Sequence, residues 1–348
     1  MSIEKITASW NENELARKIA PGIFQVPVEL ADSRLTRLDH VNTYLVEGKH
    51  GWLLIDTGWY APSSQHALEA ALSSLNITYQ DLNTIVITHC HPDHFGLAGR
   101  IKHLSPHTRI LMHRWEADLI ESRYIKFAEP QENMSALLKN HGVPDSLLEA
   151  LGSASMPVLE FVTITLPDQA LYGGEIIRTG VYDLEIIWTP GHSPGHICLY
   201  EPQNRFLFAG DHVLPTITPN VSYHILSGDN PLGDYIHALG KLINLPVTQV
   251  HPGHQYSFTG LRDRINAILE HHRKREDEIL KAVSRELKSA YEIASRLGWN
   301  LRDLTWEQFP PLEKRFAVTE TIAHLERMRW EGKVQKTTRD ARFFYSSI

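Results

Sequence analysis

Six consecutive residues, His89-Cys90-His91-Pro92-Asp93-His94, set three imidazoles and a carboxylate in one short segment. The run follows Thr84–Thr88 (TIVIT), which reads as a buried strand, so these side chains fall on a loop leaving a strand, where several groups can be aimed at one point. Neutral imidazole and carboxylate oxygen are donors that divalent cations such as zinc, iron and manganese accept. Incidental histidines at this density would repel one another on protonation and gain nothing. The segment predicts a metal site. Histidine is also the outlier of the composition: of 20 in the chain, eight (His89, His91, His94, His192, His196, His212, His251 and His254) fall in four short motifs.

The elements that must position such a site alternate between strand and helix. IFQVPV, NTYLVEG and WLLIDTG read as strands, Pro62–Leu75 has helical spacing, and Phe95–Leu104 predicts the next helix before the RILMH strand at Arg109–His113. This is α/β layering. Residues 114–155 break the rhythm and read as an inserted helical cap, punctuated by Pro130, Gly142 and Pro144. Strands are expected again at Glu160–Leu166, Leu184–Thr189, Ile197–Tyr200 and Arg205–Ala209. A helix at Leu232–Leu245, a long charged helix from Gly260 to about Ala290, and an amphipathic helix at Glu313–Trp330 with a turn and a strand-like end complete the chain. The division expected is a body at 1–258 and a helical, winged-helix-like tail at 259–348.

Composition bounds the function. Hydrophobic content of 42 % and charged content of 22 % are those of a soluble globular chain, and no apolar run is long enough to span a membrane. With no leader-like start, the expected location is the cytoplasm. Two cysteines, Cys90 and Cys198, form no disulfide framework and read as small buried hydrophobes. The net charge of −7 disfavours bulk nucleic-acid binding, although residues 261–348 carry 18 Lys and Arg against 14 Asp and Glu.

The loop His89–His94 resembles the His-x-His-x-Asp-His signature of the metallo-beta-lactamase-fold superfamily. Leu54-Ile55-Asp56-Thr57-Gly58 is similar to the family's first motif, Thr189–His196 to its third, Phe208-Ala209-Gly210-Asp211 to its fourth, and His251-Pro252-Gly253-His254 to its fifth, all in order. The resemblance implies an αββα sandwich and a hydrolase with two divalent ions, zinc first among them. Carried over, His89, His91 and His192 hold one ion, Asp93, His94 and His254 the second, and Asp211 bridges. Asp56 would orient ligands by hydrogen bonds. Two such ions bring a shared water to ionisation near neutral pH, with Asp93 placed to orient it. Gly191, Gly210 and Gly253 each precede a ligand and suit tight turns.

His196 is expected to support the ligands, and His66, His103, His271 and His272 to lie on the surface. Tyr223 and His224, in the loop after Asp211, and Arg123, Tyr124 and Lys126, in the cap, are candidates for substrate contact, the cap residues towards an anionic group. His91 stands where the redox di-iron branch usually has Glu, and Asp211 where many dedicated beta-lactam hydrolases have Cys, which disfavours both activities. The short interval from Asp211 to His254 excludes the large inserted domain of the superfamily's RNA-processing and DNA-repair nucleases. The first expectation is hydrolysis of an ester, lactone or thioester of a small molecule. The second is cleavage of single-stranded RNA, because Thr319–Lys336 resembles the winged-helix-like end of beta-lactamase-like endoribonucleases. A homodimer contact or simple packing are the other uses of that tail.

Overall fold

The computed structural model describes residues 4–5, 14–30, 38–126, 128–283, 286–299 and 304–348. Two mixed seven-stranded sheets carry the chain. The first runs Arg17–Ala20, Ile23–Glu29, His40–Gly48, Gly51–Ile55, Leu82–Ile87, Arg109–His113, Gln169–Leu171, antiparallel up to Gly51–Ile55 and parallel beyond. The second runs Glu4–Lys5, Phe258–Thr259, Gln249–Pro252, Phe206–Gly210, Ile197–Glu201, Asp183–Trp188, Ile176–Arg178, and its one parallel pairing joins Phe206–Gly210 to Gln249–Pro252.

Burial follows the two-residue period of the strands. Leu53, Ile55, Val86, Phe206 and Phe208 turn inward between the sheets. Their neighbours Leu54, Ile85 and Ile87 pack against Leu68 and Leu72 of the helix Pro62–Ser74 and Ile101 of the helix Ala98–Leu104. On the opposite outer face, Leu207 and Ala209 pack with Leu232 and Leu239 of Pro231–Leu242 and Ile265 and Ile268 of Leu261–Ala282. The layering is therefore helix, sheet, sheet, helix, as expected. At about 1.5–3 kcal/mol for each fully buried aliphatic side chain, the layer between the sheets makes the strand ends fixed platforms for the loops that leave them.

The cap consists of the helices Arg114–Ile120, Ala128–Asn140 and Asp145–Gly152, with a π-helical turn at Glu121–Ile125 and a 3₁₀ turn at Met156–Phe161. It thus runs past residue 155, and the strand expected at Glu160–Leu166 does not form. Thr163 there donates to Gly96 O, so the β-branched run covers the ligand loop instead of joining a sheet. The long charged helix ends at Ala282 rather than near Ala290, with residues 284–285 outside the described set. Ser289 and Glu292 then form a capping box, and that box starts a separate helix, Ala290–Ala294.

The last helix, Pro311–Trp330, leads into a hairpin of Val334–Arg339 and Arg342–Ser347. It is not amphipathic in the expected sense, because side chains from Lys314 to Met328 are buried around much of its circumference. Val318, Ile322 and Leu325 share one apolar cluster with Leu138 and Leu151 of the cap, Ile279, and Tyr345 of the hairpin, while Ala323 joins the cluster under the second sheet. A helix wedged between two cores is apolar on several faces.

Candidate metal centre

Past Leu82–Ile87 the chain turns through Thr88–His91 into one helical turn, Pro92–Phe95. Proline at the first helical position has its φ preset and needs no N–H partner, so Pro92 fixes where Asp93 and His94 begin to point away from His91. His192 comes from the turn joining Asp183–Trp188 to Ile197–Glu201, Asp211 directly follows Phe206–Gly210, and His254 follows Gln249–Pro252. The bond from Gly253 N to Gly210 O, 2.7 Å, holds the last two exits side by side. A Cβ on Gly253 would stand 2.5 Å from Asp211 Oδ1, so only glycine fits there.

The seven side chains converge in two overlapping groups. His91 Nδ1 lies 2.9 Å from His89 Nε2 and 3.1 Å from His192 Nε2. On the other side His254 Nε2 is 3.2 Å from Asp93 Oδ2, and His94 Nε2 is 3.8 Å from the same oxygen. Asp211 stands between them: Oδ1 is 3.4 Å from His94 Nε2, and Oδ2 is 3.4 Å from His254 Nε2 and 3.7 Å from His192 Nε2. His89, His94 and Asp211 are also close enough to share a cation, which links the groups.

Hydrogen bonds on the far side of the rings fix their orientation. His94 Nδ1 meets Asp56 Oδ2 at 2.8 Å, His192 Nδ1 donates to Asn220 O at 2.8 Å, and His254 Nδ1 donates to His40 O at 2.8 Å. Each leaves its Nε2 facing the centre. Asp56 sits at φ 58° where its strand ends, and its carboxylate also accepts from Thr88 N and Thr88 Oγ1, at 2.8 and 2.9 Å. His196 accepts from Asp211 N and uses its other nitrogen on Thr189 Oγ1, which leaves no nitrogen for a cation. His251 is bonded to Ser257, and both His251 and His212 are buried.

Charge divides the two groups. Burial, followed by the neighbouring imidazoles, holds His89 and His91 well below the usual histidine range, so both are neutral. Burial opposes charge on His94 and His254 too, but carboxylates outweigh it: Asp211, Asp56 and Asp93 hold His94 well up, and Asp211 and Asp93 raise His254 to about 10. Burial likewise works against the Asp211 carboxylate, yet His254 and His94 keep it well below the normal range. His94 Nε2, His254 Nε2 and Asp211 Oδ1 are buried without a hydrogen-bond partner. Three orphaned donor atoms aimed at one point, backed by neutral imidazoles, fit divalent cations, which would displace the protons of His94 and His254.

A cavity of about 530 Å³ opens onto His91, Asp93, His192 and Asp211. Tyr223, His224, Arg123 and Tyr124 all line it. Tyr124 is buried and donates to Cys90 O at 2.6 Å, so its hydroxyl holds the ligand loop. Lys126 is not in the lining; it is exposed and pairs with Glu121 at 2.8 Å. Of the four histidines expected on the surface, His272 is buried against Tyr235 and His324, because the helix carrying it lies under Pro311–Trp330.

Two residues gave no signal in the sequence. Glu116, fully buried, accepts from Cys90 N and Gly195 N, both at 2.7 Å, and so ties the loop of His89–His94 to the loop of His192. Arg315, on the last helix, reaches the cavity from the far end of the sequence. Both look like surface charges of a helix when read in one dimension.

The fold and the clustered site define a metal-dependent hydrolase architecture. The family model of the metallo-beta-lactamase superfamily matches residues 36–254, and the chain belongs to that superfamily of hydrolases. It is 25 % identical over 307 residues to a Bacillus subtilis protein named "Probable metallo-hydrolase YqjP", covering 84 % of this chain and 91 % of that one. A metallo-beta-lactamase family protein of Thermus thermophilus superposes with a TM-score of 0.80 at 29 % identity, over 95 % of this chain and 100 % of the other. An atrochrysone carboxyl ACP thioesterase of Claviceps purpurea is 24 % identical over 245 residues, which are 70 % of this chain and 60 % of that protein.

Proposed function

We propose that the chain hydrolyses an ester, lactone or thioester of a small molecule, thioesters first, with His89, His91 and His192 holding one divalent ion, Asp93, His94 and His254 a second, and Asp211 shared between them. Ions held there lower the pKa of water to near neutrality and polarise a carbonyl oxygen. Asp93 lines the cavity floor and offers the carboxylate that receives and orients the proton of the attacking water. Neither cysteine serves as nucleophile: burial pushes the Cys90 thiol well up and Cys198 to about 12.

The observation that carries the substrate class is the cavity above the cage. Its volume of about 530 Å³ suits one small molecule, and apolar side chains such as Leu119, Met134, Leu137, Leu159, Leu214 and Ile217 enclose it. Such walls suit an acyl chain. The thioester preference is supported by the relatives named as thioesterases. RNA cleavage is the competing reading, and the segment Thr319–Lys336 is largely engaged in packing, with Thr321, Ile322, Ala323, His324, Leu325 and Met328 buried.

The test is an assay of the metal-loaded full chain on acyl thioesters, p-nitrophenyl esters, lactones and end-labelled single-stranded RNA. Turnover of acyl substrates with intact RNA is the expected result. RNA cleavage without acyl hydrolysis would overturn it.

A further inference from the structure

Among the described residues that line the cavity, the carboxylates are Asp93 and Asp211, both in the cage, and the only other fully ionised side chains are Arg123 and Arg315. A chain with a net charge of −7 thus keeps acidic groups out of this wall and places two guanidiniums there. Arg123 comes from the cap and Arg315 from the last helix.

Arg315 is only 7 % exposed, and it makes no ion pair among the described residues. Its Nη1 has two long contacts, 3.4 Å to Leu151 O and 3.5 Å to Gly152 O, at the end of the cap helix, and the guanidinium also lies 5.9 Å from the Phe316 ring. Burial, and then the charge of Arg123, lower its pKa to about 10. Burying a cation without an anion is costly, and a second cation nearby adds repulsion, so Arg315 carries a charge that its protein surroundings do not compensate.

Arg123 shares the cavity lining with His91, and although burial works against its charge, nearby groups, Glu116 among them, keep it protonated. Both Glu116 oxygens already accept hydrogen bonds from the loops they brace. His224 is subject to both guanidiniums: burial, then Arg123 and Arg315, hold it at about 3. It is therefore neutral, and because its Nδ1 accepts from Leu226 N at 3.3 Å, the proton sits on Nε2. Two cations and a neutral donor lining one cavity match an oxyanion.

We propose that Arg123, Arg315 and His224 form an anion-binding subsite in the cavity wall, so that the substrate carries a carboxylate or phosphate group remote from its scissile carbonyl. This rests on the hydrolase reading for the word substrate, but the subsite itself does not. A helix-capping role for Arg315 predicts a different sign in the experiment below.

The experiment has a binding arm, a turnover arm and a stability arm, all on the metal-loaded full chain. Calorimetric titration with glutarate and with phenyl phosphate shows which oxyanion binds, and Arg315→Met and Arg123→Met should weaken the better ligand about 10- to 100-fold. Arg315→Lys should recover part of that loss. Binding that is absent, or indifferent to both arginines, overturns the subsite. In turnover, an ω-carboxyl or ω-phosphoryl acyl thioester should exceed a neutral thioester of equal length by about 10-fold or more in kcat/KM, and Arg315→Met should erase that ratio. Acyl turnover with no such preference sinks the subsite and leaves the hydrolase reading standing. Arginine-dependent binding without any acyl turnover does the reverse. Removing an uncompensated buried charge should also raise Tm by about 2–4 °C in Arg315→Met. A fall in Tm would assign the residue to the helix end and overturn the proposal.

Discussion

In the cage, His94, His192 and His254 each answer to a strand end nearby and to a hydrogen bond on the far nitrogen, whereas the cavity wall above it is assembled from cap helices, the 214–226 loop and the last helix, which meet chiefly by packing. The first region is polar and over-determined: even the backbone under Cys90 and Gly195 is tied down by Glu116. The second is richer in apolar side chains, with Arg123, Arg315 and His224 among its polar ones, and its shape depends on contacts between parts of the chain far apart in sequence. Chemistry and selectivity are thus assigned to regions with different sensitivities to substitution.

Four substitutions break or sharpen that contrast. Asp211→Ala removes the carboxylate standing between the two groups; metal analysis should find fewer than two ions per chain, and turnover should fall by about 10³-fold or more. Full occupancy with normal turnover would show that the groups are independent. Asp56→Asn keeps the shape but replaces an acceptor of the His94 and Thr88 bonds, so metal affinity or turnover should drop about 10- to 100-fold, measured by competition with a chelator.

The wall should respond in stability rather than in metal content. Ile322→Ala, in the cluster shared by cap and tail, should cost about 2–4 kcal/mol in denaturant unfolding while the ion count stays unchanged. A loss of ions on the same scale would mean that the wall supports the cage. The smallest effect is expected at Glu320, whose carboxyl is raised to about 7 by burial, against the opposing charge of Arg275. A group raised in the folded state contributes stability present below its unfolded pKa, near 4.5, and lost as pH climbs through about 7. Glu320→Gln should flatten that decline and raise Tm at pH 8 by about 2–4 °C, read by scanning calorimetry from pH 4 to 8.

The same contrast governs what could be read in one dimension. His89, His91, Asp93 and His94 were legible because imidazoles and a carboxylate crowd the end of an apolar run, while His192, Asp211 and His254 were reached through the resemblance of their motifs to the family's. Asp56 was legible as an orienting residue through its motif. His40 and Asn220 were not, since they hold His254 and His192 through main-chain carbonyls that any residue type supplies. The cap's extension to Phe161, the burial of His272 and the place of Arg315 were hidden for another reason: each is decided by a partner distant in sequence. Local propensity favoured a strand at Glu160–Leu166, and tertiary packing overrode it.

Phe206–Gly210 and Gln249–Pro252 run side by side in the same direction, so Asp211 and His254 are released from one shared edge while the chain between them must cross over. That crossover, which includes the 214–226 loop and the Pro231–Leu242 helix, can change its cavity-facing residues without shifting either strand end, as long as the Asn220 carbonyl still holds His192. Parallel pairing at this one place separates the inheritance of a reaction from the inheritance of a substrate: new specificities can be written into the crossover while the catalytic text stays as it was.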